Sequence, residues 1–234
     1  MNPQGKKAIV FGGTSGIGLA TTRQLAAQGA SVIAISRQPD KAGDLPDGVS
    51  TRACDVCDRD ALTGLFADIG QFDILVNAAT GGERALGPFL EMDLDGYQAS
   101  FAKLWGYTNV VRLGCQYLSD DGCIVLVSGS PARKCKPGQV ALSSVGGAVE
   151  AFARAIAPEI APKRINVMSP GTIDTPMVPL QGDERKNLYA NMTSANIIQR
   201  AGTADEAAQG ILFLINNDFV TGTTVDVDGG WLLS

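Results

Sequence analysis

The chain has 234 residues, 45% of them hydrophobic, a formal net charge of −5 and no histidine. That acidic balance disfavours non-specific nucleic-acid binding, which depends on basic patches, and no apolar run reaches the ~18 residues of a membrane span. Without histidine, Ser-His-Asp and Cys-His nucleophilic machinery is excluded, and Cys54 and Cys57 in "CDVC" lack the further ligands of a zinc site.

In chain order, "KAIVFG" (7–12) is a short apolar run ending in glycine and predicts a buried strand. A helix over 16–29 follows, with Gly29 as its stop signal, then strands at 31–36 and 49–56. A helix at 58–70 leads to a strand at 72–79, a long helical stretch over 95–118 and a strand at 122–130. Helix 139–161, strand 164–171, helix 204–216 and strand 223–230 complete the order. Most strands are continuous apolar runs, and they alternate with helices along the whole length. Both features predict an α/β fold: a doubly wound Rossmann architecture with a seven-stranded parallel sheet covered on both faces. No linker divides the chain, so a single dinucleotide-binding domain over 1–234 is expected. The irregular, polar segment 172–200 lies where ligands bind in such sheets and is expected to act as a substrate lid. The five cysteines are scattered, which suits a reducing compartment. The Gly-rich turn also comes too early for a signal peptide, so a soluble cytoplasmic protein is expected.

"FGGTSGIG" (11–18) joins the first strand to the first helix. Glycines there let the backbone turn sharply and approach a pyrophosphate, and the helix N-terminus offers free N–H groups to negative charge. Any strand–helix turn can use glycine. The position, first strand to first helix of a βαβ unit, makes the signal stronger.

With these motifs the chain resembles the short-chain dehydrogenase/reductase family along nearly its whole length. Gly12, Gly16 and Gly18 match the family's TGxxxGxG turn, with Phe11 in place of the threonine. Asp55 and Val56 match the pair beside the adenine ring, and "VNAAT" (76–80) resembles NNAG with Asn77 kept. "SPGTIDTPM" (169–177) resembles PGxxxTxM, and "VDVDGGW" (225–231) the C-terminal signature. The resemblance implies cofactor contacts from Gly12, Thr14, Ser15, Gly16, Ile17, Gly18, Asp55, Val56, Asn77, Ala78, Pro170, Gly171, Thr172 and Thr175. At the end of the second strand stand Ser36 and Arg37 rather than an acid. A small hydroxyl leaves room for a 2′-phosphate and a guanidinium pairs with it, so NADP(H) is the expected cofactor. A solvated surface arginine is the plainer alternative.

The family's catalytic positions have changed. Leu142 falls on the tyrosine, Gly146 on the lysine, Gly129 on the serine and Lys103 on the asparagine. No tyrosine of the chain is followed four residues later by lysine. Lys103 and Ser130 are the candidate replacements. Loss of the lysine at Gly146 is expected to open space that Lys103 reaches from the neighbouring helix, to contact the cofactor ribose or a bound anion. The alternative is a lysine facing solvent or a subunit contact. Ser143 and Ser144 are expected to cap a helix, and Arg133, Lys134 and Lys136 to be loop charges. Leu86, Leu142, Met177 and Tyr189 suggest an apolar pocket for a small-molecule substrate. Three functions compete: hydride transfer to an activated acceptor such as an enone, an imine or iminium, or to a carbonyl; NADP(H) binding without turnover; and a non-redox lyase or cyclase. No nucleic-acid or membrane partner is expected. Family resemblance implies a homo-dimer or homo-tetramer through helices 95–118 and 139–161.

Overall fold

The computed structural model describes residues 1–80 and 84–234. Its elements run β1 (Lys7–Phe11), α1 (Gly16–Ala27), β2 (Ser31–Ser36), β3 (Val49–Ala53), α2 (Arg59–Ile69), β4 (Phe72–Asn77), α3 (Leu94–Ser100), α4 (Ala102–Gly114) and β5 (Leu118–Val127). They continue with α5 (Val140–Ile156), β6 (Arg164–Pro170), β7 (Ile173–Asp174), α6 (Gly182–Thr193), β8 (Gly202–Thr203), α7 (Ala204–Asn216) and β9 (Thr224–Val227). Seven strands form one parallel sheet in the order β3-β2-β1-β4-β5-β6-β9, and β7 and β8 pair separately. The doubly wound, seven-stranded fold expected from the sequence is present.

Two cores sandwich the sheet, and single strands feed both. Ile9 and Phe11 of β1 face one core, while Ala8 and Val10 face the other. The first core adds Phe66 of α2, Tyr107 and Val110 of α4, and Val149 of α5. The second adds Leu25 of α1 with Ile211 and Leu214 of α7. Burial on both faces is why these strands read as unbroken apolar runs. β1 pairs with both β2 and β4. The chain therefore reverses its winding there and leaves a crevice at the carboxyl ends of the strands. Among the described residues no helix is long and apolar enough to cross a membrane.

Three local expectations need correction. The stretch 95–118 is two helices meeting at Phe101, where Ser100 Oγ donates back to the Gly96 carbonyl at 2.8 Å. Such back-bonding loosens a helix. β5 begins at Leu118 rather than 122, because its polar start "LSDDG" pairs with β4 through a register shift at Phe72/Ile74. The segment 172–200 is not wholly irregular: it holds α6, which buries only Tyr189 and Thr193. With so few inward positions that helix shows no apolar stripe for a sequence reading to find.

Candidate functional site

The turn between β1 and α1 is built from close backbone approaches. Gly12 has φ +75°, and a Cβ there would lie 2.9 Å from the Ala78 carbonyl carbon. A Cβ on Gly18 would lie 2.1 Å from the Gly12 oxygen. Thr22 Oγ1 donates to the Gly13 carbonyl at 3.1 Å and pins the turn to its helix. The N-cap of α1, Ser15, makes no side-chain cap bond, and the first turn carries no acid. The helix therefore presents uncompensated N–H groups.

A cleft of about 550 Å³, open to solvent, starts at this turn and runs over the ends of β1, β2 and β3. Gly12, Thr14, Ser15, Ser36, Arg37, Asp55 and Val56 all line it, with Phe11, Ile35, Cys54, Ala79 and Thr80. Ser36 Oγ is buried there without a hydrogen-bond partner. Arg37 is exposed and makes no ion pair among the described residues. A buried orphan hydroxyl beside a free guanidinium is what a ribose phosphate requires. The glycine turn has room for a pyrophosphate and none for side chains. These residues fit a phosphorylated dinucleotide.

The remaining cofactor candidates take other places. Asn77 is buried; its Oδ1 accepts from Ala79 N at 3.1 Å, and its Nδ2 has no partner. Ala78 N donates to the Phe11 carbonyl at 2.9 Å. Thr175 stands over Gly16, whose added Cβ would meet the threonine methyl at 3.4 Å, so the segment after β6 reaches the turn after β1. Gly171 N donates to the Val227 carbonyl at 3.0 Å, and the Thr172 carbonyl accepts from Gly202 N at 2.9 Å. The Pro170 carbonyl accepts from Ser130 Oγ at 3.1 Å. Ile17 packs against the second core.

At the carboxyl end of β5 the structure gathers charges. Lys103 Nζ, on α4, donates to the Ser128 carbonyl at 3.2 Å and lies 5.4 Å from the centre of the Tyr107 ring. Burial, reinforced by the charge of Arg84, lowers its pKa to about 7. Beside Gly146 the packing is close: an added Cβ there would lie 3.0 Å from Ala132 Cβ, because the turn Ser130–Ala132 packs onto α5. Leu142 is half-buried on the same helix. Ser130 is buried with its proton committed to Pro170.

Other expectations change as well. α5 starts at Val140 with Gln139 at its N-cap, so Ser143 and Ser144 do not cap it; Ser144 Oγ accepts from the Tyr97 hydroxyl at 3.1 Å. The loop cations are anchors rather than free charges. Arg133 Nη1 donates to Asp226 at 2.9 Å, and its Nε lies 3.5 Å from buried Glu150. Lys134 Nζ donates to the Trp231 carbonyl at 3.1 Å, and Lys136 Nζ lies 4.4 Å from the centre of the Trp231 ring. Glu150 also accepts from Ser128 Oγ at 3.2 Å. Sequence reasoning missed Arg84 and Glu150, and no residue pattern announces either.

Four phenols are described, and the half-buried Tyr97, whose hydroxyl donates to Ser144 Oγ at 3.1 Å, sits between α3 and α5. Tyr107 donates to the Val127 carbonyl at 3.0 Å, and burial holds its pKa above the usual phenol range. Tyr189 accepts from Thr175 N at 3.4 Å. Tyr117 sits at the other end of β4, where its carbonyl accepts from Phe72 N at 3.1 Å.

The family model described as Enoyl-(Acyl carrier protein) reductase matches residues 12–232. The chain is 32% identical to the 3-oxoacyl-(acyl-carrier-protein) reductase FabG of Thermotoga maritima, over 100% of each chain. It is similar in structure to a small-chain dehydrogenase in complex with NADPH, at 28% identity and a TM-score of 0.83 over 99% of this chain and 100% of that one. It is also similar to a short chain oxidoreductase from Pseudomonas aeruginosa PAO1, in an apo structure described as containing an atypical catalytic center. There the identity is 26% and the TM-score 0.85, over 98% of both chains. Taken with the sheet order and the glycine turn, these matches show that the chain belongs to the short-chain dehydrogenase/reductase family.

Proposed function

We propose that this protein is an NADP(H)-dependent oxidoreductase that works without the family's Ser-Tyr-Lys group and reduces an activated acceptor, an enone or an imine or iminium, or a carbonyl. The nicotinamide cofactor supplies the hydride. The protein must then stabilise the charge that develops on the acceptor and deliver one proton. Lys103 is the observation that carries this reading. Its ammonium lies at the carboxyl end of β5, with a pKa of about 7. A group titrating there donates its proton near neutrality and regains it from solvent. Ser130, bound to Pro170, positions the end of β6 in this reading.

The NADPH complex of a structural neighbour supports NADP(H), as do the orphan Ser36 hydroxyl and free Arg37. Ser36→Asp is expected to weaken NADPH binding about a hundredfold and NADH binding little, since a carboxylate repels the 2′-phosphate and accepts from ribose hydroxyls. Fluorescence titration with both cofactors checks this; equal losses for the two would place the phosphate elsewhere.

The protonated form of Lys103 is present below pH 7 and is lost as pH rises through it. With saturating NADPH, kcat/KM is therefore expected to be level in acid and to fall about tenfold per pH unit above about pH 7. Lys103→Met should remove most of the turnover and the pH dependence together. A profile with no break near neutrality, or the same break in the variant, assigns the proton to another donor.

A second reading, NADP(H) binding without turnover, is favoured by the replacement of the family's tyrosine and lysine positions by Leu142 and Gly146. Titration with NADPH followed by a carbonyl, enone and imine panel separates the two. Binding with no oxidation of NADPH by any acceptor supports the second; no binding overturns both.

In this proposal residues 172–200 form the substrate lid of a single domain. Arg185 ties the segment to itself through the carbonyls of Thr175 at 2.8 Å and Leu180 at 3.1 Å, which lets it move as a unit. Exposed Leu94 and Trp105 on α3 and α4 support a homo-oligomer through that face.

A further inference from the structure

Glu150 is an acid where acids are seldom found. It lies on α5 against the end of β5, and only 4% of its surface is exposed. A buried carboxylate is costly unless it is paired and hydrogen-bonded, and an apolar side chain of the same size often costs less. Glu150 Oε1 accepts from Ser128 Oγ at 3.2 Å and lies 3.5 Å from Arg133 Nε, whose guanidinium also binds Asp226. Oε2 faces Arg154 Nη1 at 3.9 Å, on a side chain that is more than half exposed.

Ser128 is engaged through every polar group it has. Its N donates to the Met168 carbonyl of β6 at 3.0 Å, its Oγ donates to Glu150, and its carbonyl accepts from Lys103 Nζ at 3.2 Å. One residue thus joins the buried acid of α5 to the ammonium of α4. With the N–H and the hydroxyl both fixed, the direction of the carbonyl is set towards Lys103. We propose that Glu150 is a positioning residue of the reaction: through Ser128 it aims the carbonyl that holds the Lys103 ammonium. The proposal rests on Lys103 being the proton donor of the redox reading above.

Three variants test it. Glu150→Leu removes the acceptor. Ser128→Ala removes the donor and keeps the carbonyl. Glu150→Gln keeps an oxygen at Oε1 and gives up the long contact to Arg154. The other charge that bears on Lys103 is Arg84, which all three leave in place. With saturating NADPH, Glu150→Leu and Ser128→Ala are each expected to lower kcat/KM in acid about tenfold. Each should also move the break about half a pH unit or more below the parent's, since an ammonium that loses its acceptor releases its proton sooner. The double variant should be no worse than either, because both changes break one bond. Glu150→Gln should stay within about threefold of the parent and keep its break. NADPH affinity should move less than about twofold throughout, as none of these groups lines the cofactor cleft.

Additive losses in the double variant, a parental rate and break in Ser128→Ala, or a Gln variant as damaged as the Leu variant overturns the proposal. Should Glu150→Leu not fold, Ser128→Ala decides alone, since it removes one hydroxyl. Competitive acetylation with trace acetic anhydride, read at Lys103 by mass spectrometry across pH, follows the same break without turnover. If the parent oxidises no NADPH with any acceptor, the redox reading falls, while a labelling break that moves in Ser128→Ala upholds the positioning of Lys103. If the parent turns over and the labelling break stays in place, the role of Glu150 falls and the redox reading stands.

Discussion

Gly18→Ala is expected to destabilise the protein by about 2–4 kcal/mol and to abolish measurable NADPH binding. The added methyl would sit 2.1 Å from the Gly12 oxygen and 2.7 Å from its carbon. Both are backbone atoms, so no rotamer change relieves the clash. Either α1 moves off the sheet or the turn opens. The first loosens a packed core, since Leu25 of this helix is fully buried against its neighbours. The second removes the close backbone approach that a pyrophosphate needs. Gly16→Ala is the internal control. Its methyl would meet only the Thr175 side chain, at 3.4 Å, although φ is +50°. That left-handed backbone costs about 1 kcal/mol, and NADPH binding should survive in weakened form. Urea denaturation and cofactor titration of the two variants measure the difference. A Gly18→Ala protein with the parent's midpoint and affinity would show that the turn is not held as described.

The fold was legible because burial on both faces leaves a plain mark. "KAIVF" and "CIVLV" admit no polar face, and they became the central strands β1 and β5. α7 was placed to the residue, 204–216, and a capping box explains the sharp start: Thr203 Oγ1 accepts from Glu206 N at 3.1 Å, and Glu206 accepts from Thr203 N at 2.8 Å. α6 was not legible, because a helix standing above the sheet needs no apolar stripe. The adenosine half of the site was readable for a similar reason. Glycines at an enforced turn and a missing acid after β2 are statements about backbone and charge at fixed places. The other half depends on which way long side chains turn. Arg84, Arg133 and Lys136 look alike in sequence. One meets a thioether, one pairs with two carboxylates, and one lies on an indole. Lys103 stood out because a cation replaced a short amide on a helix lining the site. In the structure its ammonium donates to the Ser128 carbonyl, a contact that no residue pattern announces.

Lys103→Met should raise stability at acid and neutral pH while removing turnover. Desolvation, and then the charge of Arg84, lower the Lys103 pKa from 10.5 to about 7. Between those values the unfolded chain holds a proton that the folded chain has released, so wild-type stability rises as pH climbs from about 7 to about 10.5. Below about pH 7 both states are protonated, and the full penalty of burying an ammonium is present. Methionine fills a similar volume and carries no charge. The variant is therefore expected to be about 2–4 kcal/mol more stable than the parent near pH 6, an advantage that shrinks towards pH 10. Three contacts temper the gain: the bond to Ser128, the Tyr107 ring and the neighbouring Arg84, which itself benefits when the lysine charge goes. Urea midpoints near pH 6 and pH 10 decide the matter. A lysine that serves only to hold the fold gives the opposite sign, with the variant weaker at pH 6. A gain in stability coupled to a loss of turnover is the pattern of a charge retained for chemistry.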